Sequence, residues 1–260
     1  MNDKAEDKNV TRRDFIRTVG LAGITAALTG VPGAVAASEP SGAVASASTV
    51  PRRKLGKTGV EVPILALGGT LNTKNNHLLL RQAMKWGVTY WDNAESYFNG
   101  MSEEGMGLFF ARTPEARKKI FLATKMHARG ANFTDRLDKS LKRLQTDHVD
   151  LLCIHGITGI EDMPSNIRAW AEEMKKAGKI KLFGFSTHTN MEDCLLGAAR
   201  LDWIDAIMFA YNFQNMNTPK MEEAVNACAK AGIGLVAIKS QAGTPGTKKA
   251  PGQALLEMIE

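Results

Sequence analysis

Residues 134–156, TDRLDKSLKRLQTDHVDLLCIHG, contain the unit that decides the fold of this chain. Thr134–Leu144 is amphipathic with a helical period, and Val149–Ile154 is a short, mostly apolar run. An amphipathic helix next to a buried strand is the building block of α/β proteins. The strand ends at His155, so an ionisable side chain is predicted where the chain leaves the core.

The same unit recurs along the chain about every 25 to 30 residues, which is the length of one strand and one helix. Seven apolar runs are predicted as strands: Pro63–Leu67, Val88–Trp91, Ile120–Thr124, Val149–Ile154, Leu182–Phe185, Ala206–Phe209 and Ile233–Ile238. Six stretches between them are predicted as helices: His77–Trp86, Glu103–Arg112, Thr134–Leu144, Met163–Ala177, Met191–Arg200 and Pro219–Ala231.

Continuous apolar strands that alternate with helices indicate an α/β protein with a parallel sheet covered by helices. Two architectures fit, an open doubly wound sheet and a (β/α)8 TIM barrel. A doubly wound dinucleotide fold would place a G-x-G-x-x-G fingerprint after its first strand. The first strand here ends in Leu67-Gly68-Gly69-Thr70, so the barrel is favoured. In a barrel, catalytic residues follow the carboxyl ends of the strands.

Ionisable residues stand at three consecutive strand ends. Asp92 ends the second strand, Lys125 the third and His155 the fourth, and Tyr97 lies in the loop after Asp92. An ammonium group favours the phenolate form of a nearby tyrosine, and a carboxylate can hold that ammonium. Tyr97 is therefore a candidate proton donor, tuned by Lys125 and Asp92, with His155 orienting a carbonyl oxygen. A single such residue at a strand end would more often be structural.

Composition excludes several other classes of protein. The 260 residues are 44% hydrophobic and 23% charged, as in ordinary soluble globular domains, and the net charge is +6. No dense basic run follows residue 55, so nucleic-acid binding is not predicted. The three cysteines, Cys153, Cys194 and Cys228, form no C-x-x-C pair, so neither a metal site nor a disulfide framework is predicted.

The N-terminal residues are predicted to be a targeting signal. Arg12-Arg13-x-Phe15 precedes a weakly apolar run that ends in Ala34-Val35-Ala36, a small-residue cleavage pattern. Residues 1–37 are interpreted as a twin-arginine signal peptide, 38–50 as a flexible linker and 51–260 as the barrel. Periplasmic or cell-envelope localisation follows, after folded export by the twin-arginine machinery.

Several motifs between Arg52 and about Ser240 resemble the aldo/keto reductase family. Gly87-Val88-x-x-Trp91-Asp92-x-Ala94-x-x-Tyr97 is similar to the family's G-x-x-x-x-D-x-A-x-x-Y signature. The same holds for Ser102-Glu103-Glu104-x-x-Gly107, for LKRLQTDHVDLL at 141–152 and for Gly184-Phe185-Ser186. The sequence Gly184-Phe185-Ser186-Thr187-His188, together with the twin-arginine signal, resembles an exported branch of this family.

The resemblance implies NAD(P)H-dependent reduction of an aldehyde or ketone, with NADPH as the usual cofactor and NADH as the less common one. It implies Tyr97 as general acid, with Asp92, Lys125 and His155 in supporting roles. The cofactor positions that correspond to the family are Ser186, Thr187, Met208, Lys239 and Ser240. A small-molecule carbonyl substrate is expected, and the sequence leaves the oligomeric state open.

The sequence departs from the family at three of these positions and at its end. Thr187 stands where Asn is frequent, Met208 where Gln holds the nicotinamide, and Lys239 where an aromatic ring often stacks. Only seven strands are predicted, so the barrel is expected to be incomplete, with its eighth strand missing and the chain truncated. Two alternatives to an active reductase therefore stay open, a non-catalytic nucleotide-binding or redox-sensing barrel and an inactive fragment.

Overall fold

The computed structural model describes residues 50–129 and 132–240, which contain nine strands in two sheets. The predicted signal peptide lies outside the described residues, as does the predicted linker apart from Val50. An antiparallel hairpin, β1 (Arg52–Lys54) with β2 (Glu61–Pro63), precedes a seven-stranded parallel sheet in simple sequence order. Its strands are β3 (Ala66–Gly68), β4 (Tyr90–Asp92), β5 (Phe121–His127), β6 (Val149–Ile157), β7 (Ile180–Thr187), β8 (Ala206–Ala210) and β9 (Gly234–Ile238).

Seven α-helices lie between these strands in the described part of the chain. They are α1 (His77–Lys85), α2 (Met101–Arg112), α3 (Pro114–Lys119), α4 (Phe133–Leu144), α5 (Ile167–Lys176), α6 (Met191–Ala198) and α7 (Pro219–Ala231). Residues of left-handed conformation end two of them, Gln145 after α4 and Gly232 after α7, and direct the chain back toward the sheet.

Side chains alternate between two cores, as expected for strands with a period of two. On β6, Leu152 and Ile154 join the large core between the sheet and the helices, whereas Leu151 and Cys153 join a smaller core with Tyr90 and Met208. Both sets are buried, which explains why the strands are continuously apolar in sequence. The smaller core lies inside the curl of the sheet.

The sheet is curled, so that its two edge strands face one cavity. Residues of β3, such as Ala66, and of β9, such as Val236, line the same cavity of about 530 Å³. The hairpin of β1 and β2 covers the amino ends of the parallel strands, where the backbone N–H of Lys57 donates to the Gly232 carbonyl oxygen (2.7 Å). The predicted incomplete barrel of about seven strand–helix units is thus confirmed for the described residues.

The structure differs from the predicted element bounds by a few residues at several places, and the two described next change how the elements are divided. The predicted strand Pro63–Leu67 is divided, because Pro63 ends β2 and the parallel sheet begins at Ala66. The predicted helix Met163–Ala177 begins only at Ile167. Met163 precedes Pro164 and is extended (ψ 131°), and a residue before proline is sterically excluded from helical geometry.

None of the helices in residues 50–129 and 132–240 combines the length and the apolar character needed to cross a bilayer.

Candidate active site

Lys125 lies at the centre of the candidate site and is almost fully buried, with 1% of its surface exposed. It points inward from β5, and its Nζ donates to both carboxylate oxygens of Asp92 (2.7 and 2.6 Å) and to the Asn93 carbonyl oxygen (2.8 Å). The same Nζ lies 3.3 Å from the hydroxyl of Tyr97. The parallel register of β4 and β5 explains the contact, since Asp92 pairs with Ala123, two residues before Lys125.

The buried pair keeps Lys125 charged. Burial disfavours the ammonium form, but the adjacent Asp92 carboxylate and the Tyr97 hydroxyl together outweigh burial, and the pKa of Lys125 is raised above its ordinary value. The lysine therefore holds a positive charge beside the Tyr97 oxygen at neutral pH. That charge favours negative charge on the phenol oxygen, which is what a tyrosine acid must bear after giving up its proton.

The loop that carries Tyr97 is fixed by two arginines. Glu95 forms an ion pair with Arg136 of α4, and the Glu95 carbonyl oxygen accepts from Arg143 (3.2 Å). Arg143 also contacts the buried carboxylate of Glu103 (3.3 Å). Gly100 lies next to it in a left-handed conformation (φ 89°) that favours glycine, and a Cβ atom there would also displace the Arg143 guanidinium.

Two residues of this loop have left-handed backbones that are uncommon for side-chain-bearing residues, Phe98 (φ 50°) and Asn99 (φ 54°). Such conformations persist only where the surrounding structure holds them. The position of Tyr97 is therefore set by the protein and not by local preference.

His155 lies beside Tyr97, with 5.8 Å between their ring centroids. Burial, followed by the positive charge of Lys125, lowers the pKa of His155 to about 3, so its imidazole is neutral at pH 7. Its Nδ1 is buried and has no hydrogen-bond partner among the described residues. An unpartnered acceptor is less costly than an unpartnered donor, which favours the tautomer with the proton on Nε2.

The predicted cofactor residues lie on neighbouring strands of the same half of the sheet. Ser186 of β7 is paired in register with Met208 of β8, and both are fully buried. The Ser186 hydroxyl oxygen accepts from the Gly156 N–H (3.0 Å), and the Thr187 hydroxyl donates to the Thr189 carbonyl oxygen (2.9 Å). Lys239 and Ser240 follow β9 directly.

Most of the predicted residues face the cavity, but not all of them. Six of the nine line it: Asp92, Tyr97, Lys125, Met208, Lys239 and Ser240. His155, Ser186 and Thr187 do not. The His155 ring lies edge-on beside the Tyr97 ring, and the two hydroxyls are already engaged with backbone groups.

One lining residue that the sequence did not single out is His188. It follows β7 and lies 6.4 Å from His155 between ring centroids. A signal for it exists in the sequence, because Gly184, Ser186 and His188 share one parity along the strand and Phe183 and Phe185 of the other parity face the helices. The described residues contain no group of three or more His, Cys, Asp or Glu side chains that could hold a metal ion.

The cavity has the features needed to hold a nicotinamide dinucleotide. Apolar side chains of Met208 and Val236 line the same cavity as Tyr97 and offer a wall on which a flat ring could lie, and Ser240 offers a hydroxyl for phosphate. Met208 stands where a Gln is frequent in the family, and its thioether cannot donate the hydrogen bond that the Gln amide would give to the cofactor carboxamide. The residues present therefore fit the cofactor, but they make one polar contact fewer than a site with Gln at position 208 would make.

Comparison with known proteins identifies relatives of this chain. The aldo/keto reductase family model matches residues 65–251. The uncharacterized oxidoreductase YqkF of Bacillus subtilis is 33% identical over 152 residues, which are 52% of this chain and 48% of the relative. The aldo-keto reductase yakc [NADP(+)] of Schizosaccharomyces pombe is 29% identical over 210 residues, 72% of this chain and 60% of the relative.

Among solved structures, a putative aldo-keto reductase from Pseudomonas aeruginosa superposes with a TM-score of 0.63 at 26% identity, covering 83% of this chain and 87% of that one. The chain matches only about half to three fifths of the length of the curated relatives named above. Because the family model covers well over half of the residues and the seven strands have the order of a barrel, the chain belongs to the aldo/keto reductase family.

Proposed function

We propose that this chain reduces an aldehyde or ketone with NADPH, or less often NADH, and that Tyr97 is the general acid. One observation carries the proposal: a buried, charged lysine contacts both a carboxylate and the hydroxyl of a cavity-lining tyrosine. Structural lysines are seldom buried at 1% exposure with a phenol as a further partner. Perturbed ionisable groups that line a cavity are candidates for catalysis.

Each residue has a physical role in this proposal. Tyr97 gives its hydroxyl proton to the carbonyl oxygen, and the Lys125 ammonium stabilises the phenolate that is left. Asp92 holds the ammonium in place and balances its charge. Neutral His155, whose ring lies 5.8 Å from that of Tyr97, would hydrogen-bond and orient the carbonyl oxygen through Nε2. When bound, the reduced nicotinamide supplies the hydride.

The cofactor would be held by the predicted residues with different strengths. Ser240 would donate its hydroxyl to a phosphate oxygen, and Lys239 would stand at the position where an aromatic ring often stacks on the nicotinamide. Met208 would pack against the ring, while Ser186 and Thr187 would shape the wall from behind.

A second candidate function is a barrel that binds the nucleotide without efficient turnover. Met208 is the observation that favours it, because the fully buried thioether leaves the ring without an amide donor. Replacing Met208 with Gln distinguishes the two functions. Higher affinity for NADPH without any turnover would favour the binding role.

Export is proposed on the sequence of residues 1–37. A folded chain that crosses the membrane by the twin-arginine route could carry its cofactor with it, so that a periplasmic supply of NADPH would not be needed. Replacing Arg12 and Arg13 by lysine should keep the protein in the cytoplasm, as measured by cell fractionation.

Tyr97→Phe tests the catalytic proposal. We expect kcat for an aldehyde to fall about 10²- to 10⁴-fold, because the acid is lost while the ring remains. NADPH affinity, measured by quenching of the cofactor fluorescence, should change less than about twofold. Tyr211→Phe removes the same atom from a tyrosine outside the cavity lining and should keep full activity. Retained turnover in Tyr97→Phe would overturn the role assignment.

A further inference from the structure

Two histidines flank His155, and they differ in their relation to the cavity. His127 pairs with His155 in the register of β5 and β6, and their rings stack 4.8 Å apart at 16°. His127 is exposed and does not line the cavity. His188, on the other side, is partly buried and lines the cavity together with Tyr97 and Lys239.

The placement of His188 follows from the strand before it. Gly184 and Ser186 of β7 have the inward parity, and His188 continues this row just past the end of the strand. Its ring therefore lies at the carboxyl ends of the strands, two residues beyond Ser186 along the chain and on the same face of the sheet. This is the level at which a carbonyl substrate would approach Tyr97.

The surroundings of His188 keep its imidazole neutral. Burial, followed by the charges of Lys239 and Lys125, lowers the pKa of His188 below its ordinary value. A neutral imidazole offers one N–H donor and one acceptor at neutral pH. Lys239 is close enough to affect this pKa, so a cation accompanies the imidazole on this side of the cavity.

The carboxylates near this side are already matched by cations. Asp92 is the one acidic residue among the described residues that line the cavity, and it is held by Lys125. Glu95, in the loop before Tyr97, is paired with Arg136. The His188 side of the cavity thus offers a hydrogen-bond donor and an unopposed positive potential to a ligand.

We propose that His188 is a substrate-binding residue, which hydrogen-bonds an oxygen acceptor of the substrate and, with Lys239 beside it, favours carbonyl compounds that carry a carboxylate. The proposal rests on the proposed function, because it names the specificity of the same site. It adds a second imidazole donor to that of His155, since His188 lines the cavity and lies 6.4 Å from His155 between ring centroids.

Steady-state kinetics with benzaldehyde and 4-carboxybenzaldehyde test the specificity. In His188→Leu, we expect KM for 4-carboxybenzaldehyde to rise about tenfold, the effect of one lost hydrogen bond to a charged group, with kcat within about threefold. KM for benzaldehyde should change less. His188→Gln keeps an N–H donor and should restore most of the preference. His148→Leu, at the far end of β6, is the matched control and should leave both KM values unchanged. Equal effects on both substrates would overturn the proposed specificity.

Histidine side-chain NMR separates this proposal from the proposed function. The protein is titrated with NADPH and benzyl alcohol, a pair that cannot react with each other, and the ring nitrogen signals are assigned from single variants. We expect the His188 signals to shift while those of His77 and His148 stay in place. A shift without any turnover of benzaldehyde would support His188 as a binding residue and overturn the reductase proposal. Turnover without a shift would overturn the role of His188, and the absence of both would overturn both proposals.

Discussion

Two paired carboxylates, Asp150 buried and Asp92 partly buried, lie at opposite ends of the sheet and show what separates structure from function in this barrel. Asp150, at the start of β6, accepts from Arg117 (3.1 Å), from Lys181 (2.7 Å) and from the Leu122 backbone N–H (2.9 Å). Asp92, at the end of β4, accepts twice from Lys125. Both acids are neutralised by basic side chains, so burial and pairing alone do not distinguish them.

The two carboxylates differ in the further contacts that their basic partners make. Arg117 also donates to the carbonyl oxygens of Ile120 and His148 and to the Thr146 hydroxyl, so that cluster is closed within the protein. Lys125 contacts Tyr97, which lines the cavity. In barrels, polar residues at the amino ends of strands serve stability, whereas those at the carboxyl ends serve chemistry. The two clusters follow this rule.

The largest effect is expected from Lys125→Met, which removes the cation at the carboxyl end. Asp92 would be left buried and unpaired, at a cost of about 3 kcal/mol in the free energy of unfolding. Turnover should fall about 10²- to 10⁴-fold, because no ammonium remains to stabilise the phenolate. Urea unfolding and aldehyde reduction measure the two losses. A variant that loses stability but keeps its turnover would place Lys125 with the structural cluster.

Asp150→Asn makes the matched change at the amino end. The amide keeps the shape but weakens the bonds from Arg117 and Lys181, and we expect a loss of about 2 kcal/mol in the free energy of unfolding. The turnover of the folded fraction should equal that of the wild type, since none of this cluster lines the cavity. A tenfold loss of kcat at a temperature where the variant is fully folded would break the comparison.

Much of this arrangement could be predicted from local sequence patterns. The strands were predictable because both faces of the sheet are buried, which makes each strand continuously apolar. The contact among Asp92, Tyr97 and Lys125 was also predictable, since parallel strands bring their carboxyl ends to one edge.

Other features depend on the three-dimensional curl and were not predictable. The sequence did not single out His188, although this residue lines the cavity. Whether a residue just past a strand end reaches the cavity depends on the depth of that strand end within the curled sheet. The left-handed backbone at Phe98 is likewise imposed by the arginines around the loop and not by its own preference.

The smallest expected effect is a pH dependence of the free energy of unfolding that comes from His155, at the carboxyl end of the sheet. The folded protein lowers the pKa of His155 to about 3, whereas the unfolded chain has the ordinary value of 6.5. As pH falls below 6.5, the unfolded chain takes up a proton that the folded protein does not. Stability is therefore present above pH 6.5 and is lost progressively as pH falls from 6.5 toward 3.

His155→Asn removes this proton linkage at the carboxyl end of the sheet. Because the ring is partly exposed, we expect solvent to screen the effect, so that the wild type loses about 1 kcal/mol more than the variant between pH 7 and pH 5. Urea unfolding at the two pH values measures the difference. His77→Asn removes an imidazole of α1, outside the cavity lining, and is measured alongside as the control substitution. Equal losses in wild type and His155→Asn would show that the folded protein does not hold His155 neutral, and the carboxyl end would then differ from the amino end only through Lys125.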